Sequence, residues 1–466
     1  MSNKAYPYIP NSAPQIKKEM MEFVNVKDEM ELYEEIPEHL RYQGLLDLPP
    51  TLGDEQSVRR HVNRILAKNK TAEEYSMFLG GGCAYHYTPA VCDEIAGRGE
   101  LISCYGQGAY SDHGKNQIFF EAQTMICMLL GMEFTAQTCH DGAQAAATAV
   151  SMANRITGRK KILLPANMNP QILSTVKNYC YSVQEEQRLD LVMVNYDSKT
   201  GMVDLEDLKS KLDDTVAGVY LENPNYLGQL EADAPQIGQL AKAAGAEFIV
   251  NANPLSLGVI EAPANYGATI AICDLHDLGC HLSSGGSQSG IIATPDDMKH
   301  MSETKDLAFG MVDTIKEGEY GFTLNLYERT HYAIREKGKE FTGTQSNYWF
   351  NYAATYLTLL GPEGTKEVAD TIMTNALYGA QKIGELPGVS IRFEGSFFEE
   401  FVVDFSESGK TVREINSALL DRQIFGGLDL SECFPELEQS ALYCITEVIT
   451  KDEIDGLVDA LREILQ

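Results

Sequence analysis

Four stretches of this chain gather residues able to do chemistry. Residues 268–294 read GATIAICDLHDLGCHLSSGGSQSGIIA: an apolar run to Cys273, a polar turn with Asp274 and His276, a Gly/Ser loop with Gly285 and Gly286, and a second apolar run. Glycine there lets the backbone take positive φ or approach a ligand closely. Thr138-Cys-His-Asp-Gly-Ala143 precedes an alanine-rich helical run and sets Asp141, Gly142 and Ala143 at a helix start, with His140 beside them. Converging N–H groups and a hydroxyl there could bind phosphate; the alternative is a turn in which Asp141 simply caps the helix. Gly80-Gly81-Gly82-Cys83-Ala84-Tyr85-His86-Tyr87 joins a flexible backbone to an aromatic–imidazole group, without the spacing or flanks of a dinucleotide fingerprint. Gly106 to Lys115 is polar and glycine-rich; its His113 and Lys115 could bind a substrate carboxylate, or the segment is a solvated loop.

These groups need a scaffold, and the pattern from about 76 to 340 supplies one. Candidate strands are 161–165, 190–196, 217–222, 247–252, 269–274 and 290–294, with helical runs such as 123–131, 143–156 and 236–246 between them. Apolar strands alternating with helices predict an α/β fold with a large, mostly parallel sheet covered on both faces. Right-handed crossovers then set the strand carboxyl ends on one edge, where ligands sit. Residues 1–75 read as a proline-punctuated helical arm, with helices at 14–23, 28–40 and 53–69, the last capped by Asp54. Residues 341–466 read as a connecting helix (365–384) and a small C-terminal α/β domain, with strands at 389–393, 398–405 and 441–450 and helices at 411–423 and 451–465.

Composition narrows the function classes. The 466 residues are 44% apolar and 22% charged, with a net charge of −30. Such a field repels phosphate backbones and anionic membranes, so neither nucleic acid nor membrane is an expected partner. No run approaches the ~18–20 apolar residues of a span, and the first residues lack a signal-peptide pattern. Ten cysteines without a C-x-x-C pair suit reduced thiols in a cytoplasm. Cys139-His140-Asp141 has ligand types, but adjacent residues point apart, so no metal site is expected.

On such a scaffold, enzymes that use pyridoxal phosphate usually carry their Schiff-base lysine where a strand like 269–274 ends. From Asp274 to Gly290 this chain has no lysine; the next are Lys299 and Lys305. The aspartate expected beneath the pyridine nitrogen is replaced, on the strand 247–252, by the neutral Asn251. The missing lysine predicts a chain that cannot hold this cofactor covalently, and the neutral Asn251 predicts a pocket without the usual counter-charge to the pyridinium.

The order of further motifs resembles a known family over some 440 residues. They include Tyr8-Ile-Pro-Asn11, LPPTLGDEQ (48–56), His86-Tyr87, FEAQTMICMLLGM (120–132), Asp141-Gly142-Ala143, Asn223-Pro-Asn225, Ser346-Asn347, Phe397-Phe398-Glu-Glu-Phe401 and Thr446-Glu447. Together they are similar to the P-protein of the glycine cleavage system, in particular subunit 1 of glycine dehydrogenase (decarboxylating). The resemblance implies a fold like that of the type I pyridoxal-phosphate transferases. It also implies an α2β2 assembly in which a homologous subunit 2 carries the lysine and the cofactor, leaving this chain inactive alone. The implied reaction is decarboxylation of glycine, with the aminomethyl group passed to the lipoyl arm of the H-protein. Tyr85, His86, His113, Lys115 and Asn347 are then candidates for the substrate channel. Thr138, His140, Asp141, Gly142, Asn251, His276, Gly285 and Gly286 are candidates for the cofactor and its phosphate. The family pattern is replaced at 104–115, expanded at 337–347, and carries His140 where tyrosine is usual. These changes leave room for two alternatives: a paralogous complex acting on another amino acid, or a non-catalytic subunit that stabilises or regulates its partner.

Overall fold

The computed structural model describes residues 6, 8–42, 44, 46–82, 84–102, 113–182, 184–282, 286, 288–304, 307–326, 328, 331–339 and 346–466. The chain divides into two units after Asn69. In the first, α1 (Pro14–Phe23) begins on a proline whose missing N–H costs nothing at that position. The second helix, α2 (Glu55–Leu66), begins where the Asp54 carboxylate accepts from Ser57 N at 2.8 Å. The helix expected at 28–40 is not an α-helix: the segment forms two 3₁₀ turns, Glu29–Tyr33 and Glu38–Leu40. Asp28 accepts from Met30 N at 2.7 Å, which favours a tight turn. Pro37 separates the turns, and four glutamates within seven residues repel one another. Neither α1 nor α2 has a buried residue.

The second unit is built on a seven-stranded sheet: β1 (Phe134–Thr135), β2 (Lys161–Pro165), β3 (Asp190–Val194), β4 (Val216–Asn223), β5 (Glu247–Ala252), β6 (Ile270–Asp274) and β7 (Gly290–Thr294), in the spatial order β1-β7-β6-β5-β4-β2-β3. Strands β2 to β6 are parallel, whereas β7 runs against β6 and β1 against β7. Neighbouring side chains alternate between faces. Tyr220 and Ile249 pack with the alanines of the helix Gly142–Thr157, while Leu221 and Val250 join the core on the opposite face. Both faces are thus covered, which accounts for the continuous apolar strands.

The register brings Glu222 opposite Asn251 and Asn251 opposite Ile272. The last polar residues of β4, β5 and β6 therefore share one sheet edge. A hairpin, Ala308–Asp313 with Tyr320–Asn325, is an addition that the sequence pattern did not reveal. Residue 350 begins a longer helix than the 365–384 expected, running Phe350–Gly384, and at Gly361 its backbone leaves the helical region (φ 60°, ψ −177°) just before Pro362. Beyond it lies a four-stranded antiparallel sheet in the order Ser390–Ile391, Glu400–Asp404, Ser440–Cys444, Leu428–Asp429. The strand expected to reach residue 450 stops at Cys444, because Thr446 turns its hydroxyl to Tyr85 O and Thr450 caps the last helix, Lys451–Ile464. Ser76–Met77 pairs in parallel with Ile424–Phe425, and Phe78 lies in the C-terminal core. Among the described residues, no helix is long and apolar enough to cross a membrane.

Candidate functional site

A cavity of about 230 Å³ opens at the carboxyl edge of the large sheet. Its floor is the strand ends themselves: Glu222 from β4, Asn251 and Ala252 from β5, and Asp274 from β6. Asn253 follows β5, and its amide donates to Glu399 Oε1 at 2.9 Å. Glu399 and Glu400 enter from the C-terminal sheet, and Gly81 and Gly82 close one side. Both glycines have positive φ, 109° and 76°; the turn lets their N–H groups reach Glu400 Oε1 at 2.6 and 3.2 Å. The glycine-rich stretch thus cradles a protein carboxyl.

The start of the helix Gly142–Thr157 is occupied in a similar way. Asp141 Oδ1 accepts from Gln144 N at 2.7 Å, the capping geometry. Asp274 Oδ2 accepts from Gly142 N at 2.8 Å, while its other oxygen accepts from His276 N and Gln288 N at 2.8 and 3.2 Å. A Cβ on Gly142 would stand 3.1 Å from Asp274 Oδ2. A carboxylate of the chain itself therefore sits where a phosphate would benefit from the helix terminus.

Among the described residues, five carboxyl groups face the cavity: Glu222, Asp274, Asp277, Glu399 and Glu400. Burial pushes Glu222 up to about 7, although Asn169 N and Tyr220 OH donate to it and pull the other way. Burial likewise raises Glu400 to about 7 against its two glycine N–H donors. Glu399 is held well above the usual range by burial and by Asp277, Glu400 and Glu447, despite the nearby charge of His86.

Behind this wall, His86 Nδ1 meets Glu447 Oε2 at 2.8 Å, and Nε2 lies 3.5 Å from Glu399 and 3.7 Å from Asp277. Burial opposes the imidazolium, but the Glu447 hydrogen bond and the three carboxylates outweigh it and raise His86 to about 9. His276 turns Nε2 to the carbonyl of Ala84 at 3.2 Å. A carbonyl only accepts, so Nε2 carries a proton.

The sequence candidates thus separate. Gly142, Asn251 and His276 come together on the cavity, with His86 just behind it. Thr138 and Asn347 pair with each other, through Thr138 N and Oγ1 on Asn347 Oδ1 at 3.2 Å, and both are buried away from the lining. Asp141 caps the helix, and His140 is exposed with its N–H on Gln144. Lys115 is buried at the end of the 3₁₀ turn His113–Lys115, and neither it nor Tyr85 lines the cavity. Gly286 has φ 83° and is not on the lining, while Gly285 lies outside the described residues. The acidic wall escaped the sequence reading, yet it had a signal. Glu222 ends an otherwise apolar strand, and Glu399-Glu400 interrupts the apolar run from Phe397 to Phe405; acids in such runs are rarely buried without a reason.

The residues present do not fit covalently held pyridoxal phosphate. The strand end carries Asp274 rather than a lysine, Asn251 is neutral, and Asp274 occupies the helix start. Among the described residues lining the cavity, His276 is the one basic side chain.

A family model described as "Glycine cleavage system P-protein" matches residues 7–461. The chain is 34% identical over 472 residues to a probable glycine dehydrogenase (decarboxylating) subunit 1 of Staphylothermus marinus, covering 99% of this chain and 98% of that protein. It also superposes on a crystal structure of glycine decarboxylase (P-protein) of the glycine cleavage system, in inhibitor-bound form. The TM-score there is 0.86 and the identity 30%, covering 99% of this chain and 100% of that one. A sphingosine-1-phosphate lyase of Burkholderia pseudomallei K96243 shares the fold at TM-score 0.66 and 14% identity, over 92% of this chain and 94% of its own. The architecture is that of the type I pyridoxal-phosphate enzymes, and the chain belongs to the glycine cleavage system P-protein family.

Proposed function

We propose that this chain is the non-lysine subunit of a pyridoxal-phosphate-dependent glycine decarboxylase complex. The observation that carries the reading is the lysine-free strand end at Asp274, on a chain whose relatives are named subunit 1. A homologous, lysine-bearing subunit would hold the cofactor and perform the decarboxylation, in an α2β2 assembly that passes the aminomethyl group to the lipoyl H-protein. The cysteines support a reducing cytoplasm, since the described ones are all free. The N-terminal unit supports a partner. Tyr8 and Phe23 are 97% and 90% exposed, and Val58, Val62, Ile65 and Leu66 of α2 are exposed as well. Apolar side chains in that number suit an obligate interface, which typically exceeds ~2,000 Å².

A second reading is a stabilising subunit that does not touch substrate, favoured by Asp274 filling the helix start. Co-expression with a lysine-bearing homologue separates the two. The first reading expects CO2 release from glycine by the pair and by neither chain alone, with borohydride fixing the cofactor only to the partner. An active partner alone, unaltered by this chain except in stability, supports the second. Labelling of a lysine on this chain would overturn both.

A further inference from the structure

The helix α2 is bare on every side. All of its 12 residues but Ser57 are exposed, and an isolated helix of that length is marginal in water, because helical stability comes mainly from covering an apolar face. Its side chains nevertheless sort by face. Val58, Val62, Ile65 and Leu66 follow the i, i+4, i+7, i+8 spacing of a single apolar stripe, and all four are exposed. At about 100° per residue, Arg59 borders Leu66 on one flank of the stripe, His61 borders Ile65 on the other with Arg64 beyond it, and Arg60 falls at the back. Between Asp54 and Lys68 four cations stand against two acids, in a chain whose net charge is −30. Among the described residues, Arg64 forms no ion pair, and that of Arg59 with Glu55, at 3.6 Å, lies in solvent.

A stripe of this spacing is the anchor pattern of a helix seated in an apolar groove. Seating it removes water from the rim, where a guanidinium is best met by a carboxylate that matches its planar donors. The charge complementary to this helix is therefore negative. A membrane surface asks for bulky anchors such as tryptophan or phenylalanine on the apolar face; two valines, an isoleucine and a leucine suit the narrower groove between packed elements of a protein. We propose that α2 seats its apolar stripe in a groove of the lysine-bearing partner subunit, with aspartate or glutamate side chains on the rim of that groove facing Arg59 and Arg64. This rests on the pairing proposed above, and adds to it the docking element and the chemistry of its receiving surface.

The test is titration of the full-length chain against an immobilised lysine-bearing homologue, at low and at high salt. The unaltered pair should bind saturably, with an affinity that falls as salt screens the rim contacts. Val62→Asp combined with Ile65→Asp should weaken the complex at least about a hundredfold. Arg59→Glu should weaken it about tenfold and flatten the salt dependence. Arg60→Glu, the same charge change at the back of the helix, should leave the affinity within about twofold. If aspartate unwinds α2 in the far-UV spectrum, Val62→Ala with Ile65→Ala, which keeps helix propensity, serves in its place. A pair that forms equally well with the stripe variants would overturn this docking and leave the pairing standing. No association of the unaltered chains would overturn both. Equal losses for Arg59→Glu and Arg60→Glu would overturn the acidic rim. Binding of the unaltered chain to phosphatidylserine vesicles, lost in the stripe variants while pairing persists, would assign α2 to a membrane instead.

Discussion

At the start of β5, Glu247 accepts from Lys299 Nζ at 2.8 Å and meets His300 Nε2 at 3.0 Å, and Asp297 takes the other ring nitrogen at 2.8 Å. Two cations thus face two carboxylates. Burial would raise Glu247, but the hydrogen bonds from His300 and Lys299 win and lower it to about 2. At the opposite edge of the sheet, the single imidazole of His86 faces Glu447, Glu399 and Asp277. Glu447 takes the close hydrogen bond and is lowered, whereas Glu399 is pushed well up. Both clusters bury acids beside a histidine. The difference lies in the ratio: one closes its charge internally, and the other leaves a surplus that faces a cavity.

The largest effect is expected from His86→Ala. It removes the single cation from three buried carboxylates and should cost about 3–5 kcal/mol at neutral pH, measured as a lowered urea midpoint. A loss below about 1 kcal/mol would mean that the acids are already compensated. Next in size is the pH dependence. A raised folded-state pKa gives stability that is complete below the ordinary value of 6.5 and lost as pH rises through about 9, as for His86. Glu222 and Glu400 follow the same sign between 4.5 and about 7. Glu247 has the opposite sign: its contribution is present above 4.5 and lost as pH falls through about 2. The His86 limb should amount to about 3 kcal/mol and vanish in His86→Ala, as followed by urea unfolding across the pH range.

His300→Ala should cost less, about 1–3 kcal/mol, because Lys299 still holds Glu247. A loss larger than that of His86→Ala would invert the ranking. The smallest effect belongs to Glu400→Gln. The amide oxygen can accept from Gly81 and Gly82 as the carboxyl does, and burial raises the carboxyl to about 7, so that it is only partly ionised at neutral pH. Thermal unfolding should register a change within about 1 kcal/mol.

The scaffold was legible because its signals are local. Apolar runs bounded by polar turns located the strands 161–165, 247–252 and 290–294 to the residue, and Asp54 marked its helix start. Elements with weaker patterns were missed, among them the helices Pro170–Cys180 and Leu205–Lys211. The site was legible only in part. His86, Gly142, Asn251 and His276 stood out as residue types in suggestive places, but the wall joins the strand ends at Glu222, Asn251 and Asp274 to Glu399 and Glu400, more than 100 residues further on. That Glu399 reaches Asn253, or that Asp274 reaches Gly142, follows from sheet order and chain return, which no local window contains. Lys115 shows the opposite error: in a polar stretch it reads as a substrate-channel group or part of a solvated loop, and the turn before helix Asn116–Leu130 buries it.

The pairing of Ser76–Met77 with Ile424–Phe425 bears on how the chain is made. The large sheet has all its strands once residue 294 has been synthesised. The C-terminal core instead includes Phe78, alongside Phe401, Tyr443 and Leu461, so an early segment must wait on the ribosome for the last part of the chain. Closing so long a loop adds only slowly growing entropy, but it fixes the order of events: the second core cannot be completed during translation. It also means that a fragment beginning at residue 341 would lack both the Ser76–Met77 strand and the core phenylalanine Phe78.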